Sequence, residues 1–230
     1  MPMSIQMTNS GSDAPQDTSP ATTGTAFTLS AANGSTVPGV QYFNVFPPAL
    51  KSPSAKFQIL TALVSDPTPQ NATATLTWTG GANALTLFAL VDGKSPINVQ
   101  GTPVALGDTV AVAWADGVFT ITPATGGPAG AIEVTFAAGV PVESQIGLVV
   151  GPAPILVPIP IGLSPLTLEP DLSPAVTVNF GTAFQLPKPD ESDLSKAATI
   201  TFVDDTSASA GPAFVAQIKV GLDNQIVEVP

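Results

Sequence analysis

Residues 110–122 read VAVAWADGVFTIT, and this stretch decides the fold class of the chain. Two runs of alternating residues flank Asp116 and Gly117, a pair that accepts the positive φ angles of a tight hairpin turn. The segment therefore predicts two antiparallel strands joined at this turn.

The same alternation extends to both sides of this hairpin. Residues 73–79 read TATLTWT, with threonine on one face and alanine, leucine and tryptophan on the other. Turn signals such as Asn33-Gly34 and Gly80-Gly81 separate such runs about every ten residues, which is typical of sandwiches and barrels. No window keeps an apolar period of 3.6 residues. We therefore predict an all-β chain, an antiparallel β-sandwich that is Ig-like or jelly-roll-like, with almost no helix and no internal repeat.

The composition changes near residue 25. Residues 8–25 are rich in Ser, Thr, Asp, Pro and Gly, and such a segment buries too little apolar surface to offset its ordering entropy. We expect residues 1–25 to form a flexible, extended N-terminal arm with a short strand at 1–8. We expect residues 26–230 to form one sandwich domain with a Pro-rich apolar connection at 140–165.

Several classes of chemistry are excluded by missing residue types. The chain has 230 residues, of which 44% are hydrophobic and only 10% are charged, and its six basic residues are all lysines. Without His, Cys or Arg there is no zinc finger, thiolate site, Ser-His-Asp triad or guanidinium clamp on phosphate. Glycine-rich phosphate loops and the G-x-S-x-G elbow are also missing. We predict that the protein is not an enzyme.

The net charge of −11 argues against nucleic acid and anionic membranes as partners, because both require a basic surface. Residues 145–163 carry no charge but contain four prolines, which exclude a membrane-spanning helix. The opening residues lack the basic and apolar regions of a secretory signal. We expect an extracellular protein exported without such a leader, or one on a virion surface, with cytoplasmic residence as the alternative.

Carboxylates cluster in two places, Asp204-Asp205 and the loop with Asp190, Glu191 and Asp193. Paired carboxylates can perform acid/base catalysis, but these lie in polar turn sequence, which favours ordinary surface loops. Calcium is the alternative, since it binds carboxylate oxygens, although no D-x-D-x-D-G loop is present. We predict no cofactor and no metal, with calcium as the alternative.

Five segments in order resemble a known family. They are VQYFNVFPP at 40–48, the strand of Trp78, GVFTITP at 117–123, VTVNF at 176–180 and FVAQIKVGLDNQ at 214–225. Together they resemble the rhizosphere-expressed (RhiA-like) family of small all-β bacterial proteins. The resemblance implies an abundant, non-enzymatic β protein and supplies no catalytic residues.

Near the N-terminus, Met3, Ile5 and Met7 alternate with polar residues. An apolar strand of period two on a tether is typical of β-strand addition, in which one chain completes the sheet edge of another. The alternatives are a disordered tail or a strand that pairs with its own sheet. We predict that these three residues form a subunit interface.

The second predicted interface is the Pro-rich stretch at 148–163. Its apolar side chains would form a patch that only an assembly covers, or alternatively an extended segment lying across the core. The predicted interface residues here are Ile155, Leu156, Val157, Ile159 and Ile161.

These observations favour a structural subunit that assembles with copies of itself into an extracellular fibre, matrix or shell through its N-terminal strand. The first alternative is a virion decoration or minor capsid protein. The second is a carbohydrate- or surface-binding module, for which Trp78 and Trp114 would have to be exposed.

Overall fold

The computed structural model describes residues 24–51, 62–91, 101–160, 162–184, 197–208 and 213–229. Nearly every element in these ranges is a strand, and the single helical element is a 3-10 turn at Ala82–Ala84. The strands are β1 (Thr25–Asn33), β2 (Tyr42–Phe46), β3 (Leu63–Val64), β4 (Thr73–Gly80), β5 (Thr86–Val91), β6 (Thr102–Pro103), β7 (Asp108–Ala115), β8 (Val118–Thr125), β9 (Ile132–Phe136), β10 (Ser144–Val149), β11 (Pro154–Pro158), β12 (Leu166–Leu168), β13 (Ala175–Gly181), β14 (Ala198–Thr201), β15 (Val203–Asp204), β16 (Ala213–Val220) and β17 (Ile226–Glu228).

The hairpin predicted from residues 110–122 is confirmed. β7 and β8 pair antiparallel from Asp108 opposite Thr125 to Ala115 opposite Val118. Asp116 and Gly117 form the turn with φ angles of 53° and 80°, the left-handed conformation that this pair accepts. Strands form here because small and β-branched residues alternate between the core face and the solvent face.

Two large hydrophobic clusters divide the strands into two groups, each built from two sheets. One cluster lies between the sheets β15-β16-β1-β4 and β14-β13-β2-β3, and we call this group, β1–β4 with β13–β17, the terminal lobe. The other lies between β11-β10-β5-β6 and β12-β9-β7-β8, and β5–β12 form the central lobe. In the chain, the central lobe is therefore inserted between the two halves of the terminal lobe.

The prediction of an all-β sandwich is confirmed, with one difference in strand direction. β1 runs parallel to β16 over residues 26–33 and 213–220, and β7 runs parallel to β9. Parallel neighbours cannot be joined by a tight hairpin, so they come from distant parts of the chain or require a crossing connection. Local alternation contains no information on this direction.

The two lobes have the same strand arrangement. Each contains one antiparallel sheet of four strands and one sheet with a central parallel pair. In the central lobe the order is β6-β5-β10-β11 and β8-β7-β9-β12; in the terminal lobe it is β14-β13-β2-β3 and β17-β16-β1-β4. In chain order, β5, β6, β7 and β8 correspond to β13, β14, β16 and β17. The next four strands, β9–β12, correspond to β1–β4. The terminal lobe is thus a circular permutation of the central lobe, with β15 as an extra strand.

Residues at matching positions carry a trace of this relation. Aligned through the strand pairs, residues 26–34 (AFTLSAANG) correspond to residues 131–139 (AIEVTFAAG). In the antiparallel sheets, residues 175–178 (AVTV) correspond to residues 84–87 (ALTL). The structure thus adds to the sequence analysis, which predicted no internal repeat, a strand arrangement that recurs in circularly permuted order.

The Pro-rich stretch at 140–165 is not a connection between two parts of the molecule. It contains β10 and β11, whose inward-facing side chains belong to the central core. Leu50, from the segment after β2, also packs into that core, and its neighbour Lys51 donates its backbone N–H to the Glu169 carbonyl at 2.7 Å. That residues 26–230 form a single domain stays a prediction. The structure shows that this part of the chain contains two large hydrophobic cores.

Candidate functional site

Open strand edges are the features of this structure that can bind another polypeptide. A strand at the end of a sheet leaves one row of backbone N–H and C=O groups without a strand partner. Among the described strands at sheet ends, β4 and β8 have eight residues, β11 has five and the others have four or fewer. The three longest edges differ in how they are protected.

Among the described residues, no strand pairs with the outer edge of β4. The N–H of Asn33 in β1 donates to the carbonyl of Ala72, which fixes the phase of this antiparallel pair. The backbone groups of Ala74, Leu76 and Trp78 therefore face β1, and those of the residues between them face outward. The outward residues are Thr73, Thr75, Thr77 and Thr79, and all four are exposed.

Nothing in the sequence of β4 protects this edge. Natural edge strands commonly carry lysine or proline, or end early, so that they do not pair with other chains. The eight residues TATLTWTG contain no charged residue and no proline. The strand therefore presents an uncharged, β-branched edge that can accept a further strand.

An aromatic cluster supports the inner face of β4. The rings of Trp78 and Phe27 stack at 5.6 Å with an interplanar angle of 2°, and Phe214 stacks on Phe27 from the other side at 5.3 Å. Phe202 meets both Phe27 and Trp78 edge-on. Cross-strand aromatic pairs of this kind stabilise a sheet and hold the edge strand in register.

Trp78 and Trp114 are not fully exposed rings. Both are partly buried, and Trp114 packs against Phe119 with 4.4 Å between ring centroids. The cleft beside Trp78 is lined by Phe27, Pro48 and Gly151 among others and has a volume of about 20 Å³, close to that of one water molecule. A groove of about 160 Å³ lies beside the start of β4, still below the ~300 Å³ of a typical ligand site.

The edge of β11 is blunted by proline. The N–H of Ile159 donates to the Ser144 carbonyl, so the odd-numbered residues of this segment face β10. The outward positions are Pro154, Leu156, Pro158 and Pro160, of which only Leu156 has an N–H group. Because proline cannot donate to a ladder, this edge cannot accept a regular strand.

The predicted interface residues of this segment were expected to form an apolar patch that only an assembly covers, but the described ones are buried within their own chain. Ile155, Val157 and Ile159 are 1–3% exposed within the central core, and Leu156 packs with Phe88 and Leu90 in a smaller cluster. These side chains are core residues of their own chain, because alternate positions of the strand face either the sandwich interior or that smaller cluster. The alternative of an extended segment across the core describes them correctly.

Proline also interrupts the edge of β8. The N–H of Ala137 donates to the Val112 carbonyl, so the backbone groups of Val112 point toward β9. The backbone groups of the adjacent residues in β7 therefore point toward β8. The outward positions of β8 are then Phe119, Ile121, Pro123 and Thr125. Pro123 removes a donor near the end of this edge, whereas β4 keeps all of its donors.

Four of the predicted interface residues lie outside the described residues. They are Met3, Ile5, Met7 and Ile161. Their participation in an interface stays a prediction. β1 begins at Thr25, opposite Gly80 at the end of β4, so the chain enters the sandwich directly beside the open edge.

The carboxylates have ordinary structural roles where the structure describes them. Asp205 accepts hydrogen bonds from the hydroxyl and the backbone N–H of Ser207, which lower the pKa of its carboxyl group. The backbone N–H of Ser173 lowers the pKa of Asp171, and the Lys51 ammonium at 3.3 Å contributes further. The loop with Asp190, Glu191 and Asp193 lies outside the described residues.

No group of three or more His, Cys, Asp or Glu that could hold a metal ion occurs within the described ranges. Likewise, no helix in that part of the chain is long and apolar enough to span a membrane.

Comparison with known proteins gave no match to a family model, a curated protein or a solved structure. The resemblance to the rhizosphere-expressed family therefore stays a prediction. The sequence reading identified the alternation of β4 but not its position at an open edge. The uncharged Thr-x-Thr-x-Thr-x-Thr run of β4 is visible in the sequence, but it does not by itself show that the strand lies at a sheet edge.

Proposed function

We propose that this protein is a non-enzymatic structural subunit that assembles with copies of itself outside the cell by β-strand addition. Residues 3–7 of one copy pair with the open edge of β4 in the next copy. The observation that carries this proposal is the eight-residue edge of β4, which has neither charge nor proline.

The donor and the acceptor match in the period of their side chains. A strand added to β4 places alternate side chains on the inner and outer faces of the sheet. Met3, Ile5 and Met7 can then continue the inner face of Leu76 and Trp78, while Ser4 and Gln6 continue the outer threonine row. A shift of one residue would reverse both faces, so the pattern also specifies the register.

The tether and the charge distribution are compatible with this pairing. The stretch from residue 8 to residue 24 spans up to about 55 Å when extended, enough to reach a neighbouring molecule. The net charge of −11 opposes close packing of copies, but neither the donor segment nor β4 contains a charged residue. Strand pairing therefore brings together the uncharged parts of two acidic molecules.

Replacing a single outward residue of β4 tests the acceptor. In Thr75→Pro the missing N–H is one that points away from β1, so the pairing of β4 with β1 keeps all its hydrogen bonds. We expect T75P to abolish polymers in sedimentation velocity at high concentration. Thr75→Ala is the matched control, because it changes the side chain but retains the N–H group, and it should polymerise like the wild type.

Deletion of residues 1–8 tests the donor in the same assay. We expect the deletion variant to remain unassembled while its circular dichroism spectrum is unchanged. Polymers that persist in both the deletion variant and T75P, in protein that has not been unfolded and refolded, would refute strand addition. A wild-type protein that sediments as a monomer at every concentration would refute self-assembly altogether.

A further inference from the structure

The terminal lobe is made of two pieces of chain that are far apart in sequence. β1–β4 form its first half and β13–β17 its second half, and residues 81–174 lie between them. Two strand pairs join the halves: β1 with β16 over eight residue pairs, and β2 with β13 over five. We call these two pairs the seam.

Each half presents an apolar face that the other half covers. Leu29 and Phe43 of the first half are fully buried against Val178 and Ile218 of the second, with exposed fractions of 0–2%. Each half on its own supplies only two or three strands to each sheet, which is marginal for independent stability. A half without its complement therefore exposes its core.

The central lobe has no such division. There, β7 and β9 correspond to β16 and β1. β5–β8 are the equivalent of the second half and β9–β12 the equivalent of the first, and a six-residue connection at 126–131 joins them. In the terminal lobe the corresponding strands, β17 and β1, lie on opposite sides of the central lobe in the chain. No short connection joins them, so they are held together by non-covalent pairing at the seam and by the longer path through the central lobe.

We propose that a second copy of this chain can supply the complementary half, so that β1–β4 of one copy complete a terminal lobe with β13–β17 of the next. All seam contacts are the same within one chain and between two chains, so only the cost of connection distinguishes the two forms. Because the donated half differs from the accepted half, the exchange runs head to tail and produces rings or chains of copies.

The connections to the central lobe are where the chain must rearrange. Residues 81–85 lead from β4 to β5, and Gly81 has a φ of 90°, a conformation that other residues adopt only with strain. Residues 169–174 lead from β12 to β13. Opening both connections separates the halves without changing any strand pair inside either half or inside the central lobe, but it breaks the bridge between Leu50 and Pro170 and the hydrogen bond from Lys51 to Glu169.

Engineered cysteines can detect this exchange because the chain contains none of its own. Ser30 and Gln217 face each other across the seam, at the ~4.8 Å spacing of neighbouring strands, which a disulfide can bridge. The variants S30C and Q217C, one carrying a size tag, are unfolded together in urea, refolded over a range of concentrations and oxidised. We expect an S30C–Q217C disulfide between chains that increases with protein concentration.

A matched pair of cysteines within one half serves as the control. Ser30 also faces Thr75, across β1 and β4 of the same half. Exchange of halves leaves this pair inside one chain, so a mixture of S30C and T75C should give only background crosslinking between chains. The double variant S30C/Q217C checks the geometry, since it must form its disulfide whether the lobe is closed within one chain or exchanged.

Two results would overturn the proposal. One is an S30C/Q217C double variant that forms its disulfide only within a chain while the mixed single variants give background levels at every concentration. The other is equal crosslinking in the S30C–Q217C and S30C–T75C mixtures, which would indicate random collision. The exchange is independent of the N-terminal arm: deletion of residues 1–8 and T75P should abolish strand addition but leave the S30C–Q217C disulfide between chains unchanged.

Discussion

The central and terminal lobes have the same strand order but different chain connectivity. The central lobe is formed by consecutive strands β5–β12, whereas the terminal lobe joins β1–β4 to β13–β17. The comparison separates two properties of a fold: which strands are neighbours, and how the chain connects them. The packing of alternating apolar faces determines which strands are neighbours. The way the chain connects them determines how much conformational entropy the chain loses when the lobe forms.

The lobes also differ at one matched position in their antiparallel sheets. In the central lobe Gly147 lies opposite Phe88, and a Cβ atom at Gly147 would come within 2.1 Å of the Phe88 ring. In the terminal lobe the corresponding pair is Asn44 and Asn179, and the Asn44 amide donates to the Thr182 carbonyl at 3.0 Å. The same backbone thus accommodates an aromatic ring against glycine in one lobe and polar side chains in the other.

The largest expected effect comes from core truncation, which tests whether the two lobes unfold separately or as one unit. Ile146 is buried in the central core and Ile218 in the terminal core. Each change to alanine should cost about 2–5 kcal/mol in its own lobe. Unfolding of the central lobe also releases the two halves of the terminal lobe into a long loop, which adds ~2 kcal/mol of closure entropy.

We therefore expect each substitution to destabilise mainly its own lobe, I146A the central lobe and I218A the terminal lobe, while the ~2 kcal/mol of coupling acts equally in both directions because linkage is reciprocal. Trp78 packs in the terminal lobe and Trp114 in the central lobe, so urea unfolding followed by fluorescence in W114F and W78F backgrounds reports each lobe separately. If both substitutions shift both reporters equally, the lobes unfold as one unit and the expectation of two separate transitions is wrong.

A smaller effect is expected at the seam. The Ser35 hydroxyl donates to the Asn224 side chain at 2.6 Å and accepts from the Val37 N–H, which links the first half of the terminal lobe to the second. Ser35 is 1% exposed, so S35A should lower the unfolding free energy of the terminal lobe by about 1 kcal/mol. The Trp78 transition should move to lower urea concentration and the Trp114 transition should not.

The control for S35A is S207A, which removes an exposed serine hydroxyl from a turn that lies within the second half. We expect its effect to be within ~0.5 kcal/mol. If S207A destabilises the terminal lobe as much as S35A does, the seam contact has no special importance.

The smallest expected effect is electrostatic and lies where the lobes meet. Hydrogen bonding to Ser173 and the nearby Lys51 ammonium lower the pKa of Asp171 in the folded state. A carboxyl group with a lowered pKa stabilises the fold above its unfolded pKa of about 3.9, and this stabilisation is lost as the pH falls through the folded value.

D171N should therefore be less stable than the wild type at pH 7, by under ~1 kcal/mol because the ion pair is solvent-exposed. The difference should be smaller at about pH 2, because the stabilisation is lost as the pH falls toward the lowered pKa of Asp171. The measurement is the urea midpoint at both pH values. D116N, in an exposed turn that asparagine also tolerates, is the control; an equal loss in D116N would assign the effect to net charge alone.

Much of the fold could be predicted from local pattern. The alternation and turn residues identified β4, β7 and β8 closely because a strand with one buried face must alternate with period two. Prolines at 154, 158 and 160 correctly excluded a helix, but their outward direction depends on the phase set by the hydrogen bond between Ile159 and Ser144. That phase is a property of the strand pair, which sequence spacing does not contain.

The candidate site could be predicted only in part. The uncharged threonine row of β4 is visible in the sequence, but any strand between two neighbours would have the same composition. The apolar residues Ile155, Leu156 and Val157 looked like an interface because hydropathy does not distinguish a core strand from an exposed patch. Position in the sheet decides which of the two a strand becomes.

By itself, the sequence determined that the chain is a β-sandwich and that catalysis through His, Cys or Arg is impossible, because composition and period are local properties. Only the tertiary structure decided that the two ends of the chain form one lobe and that this lobe repeats the other in permuted order. These are relations between distant segments, determined by which apolar faces can cover one another, and no local window of sequence contains them.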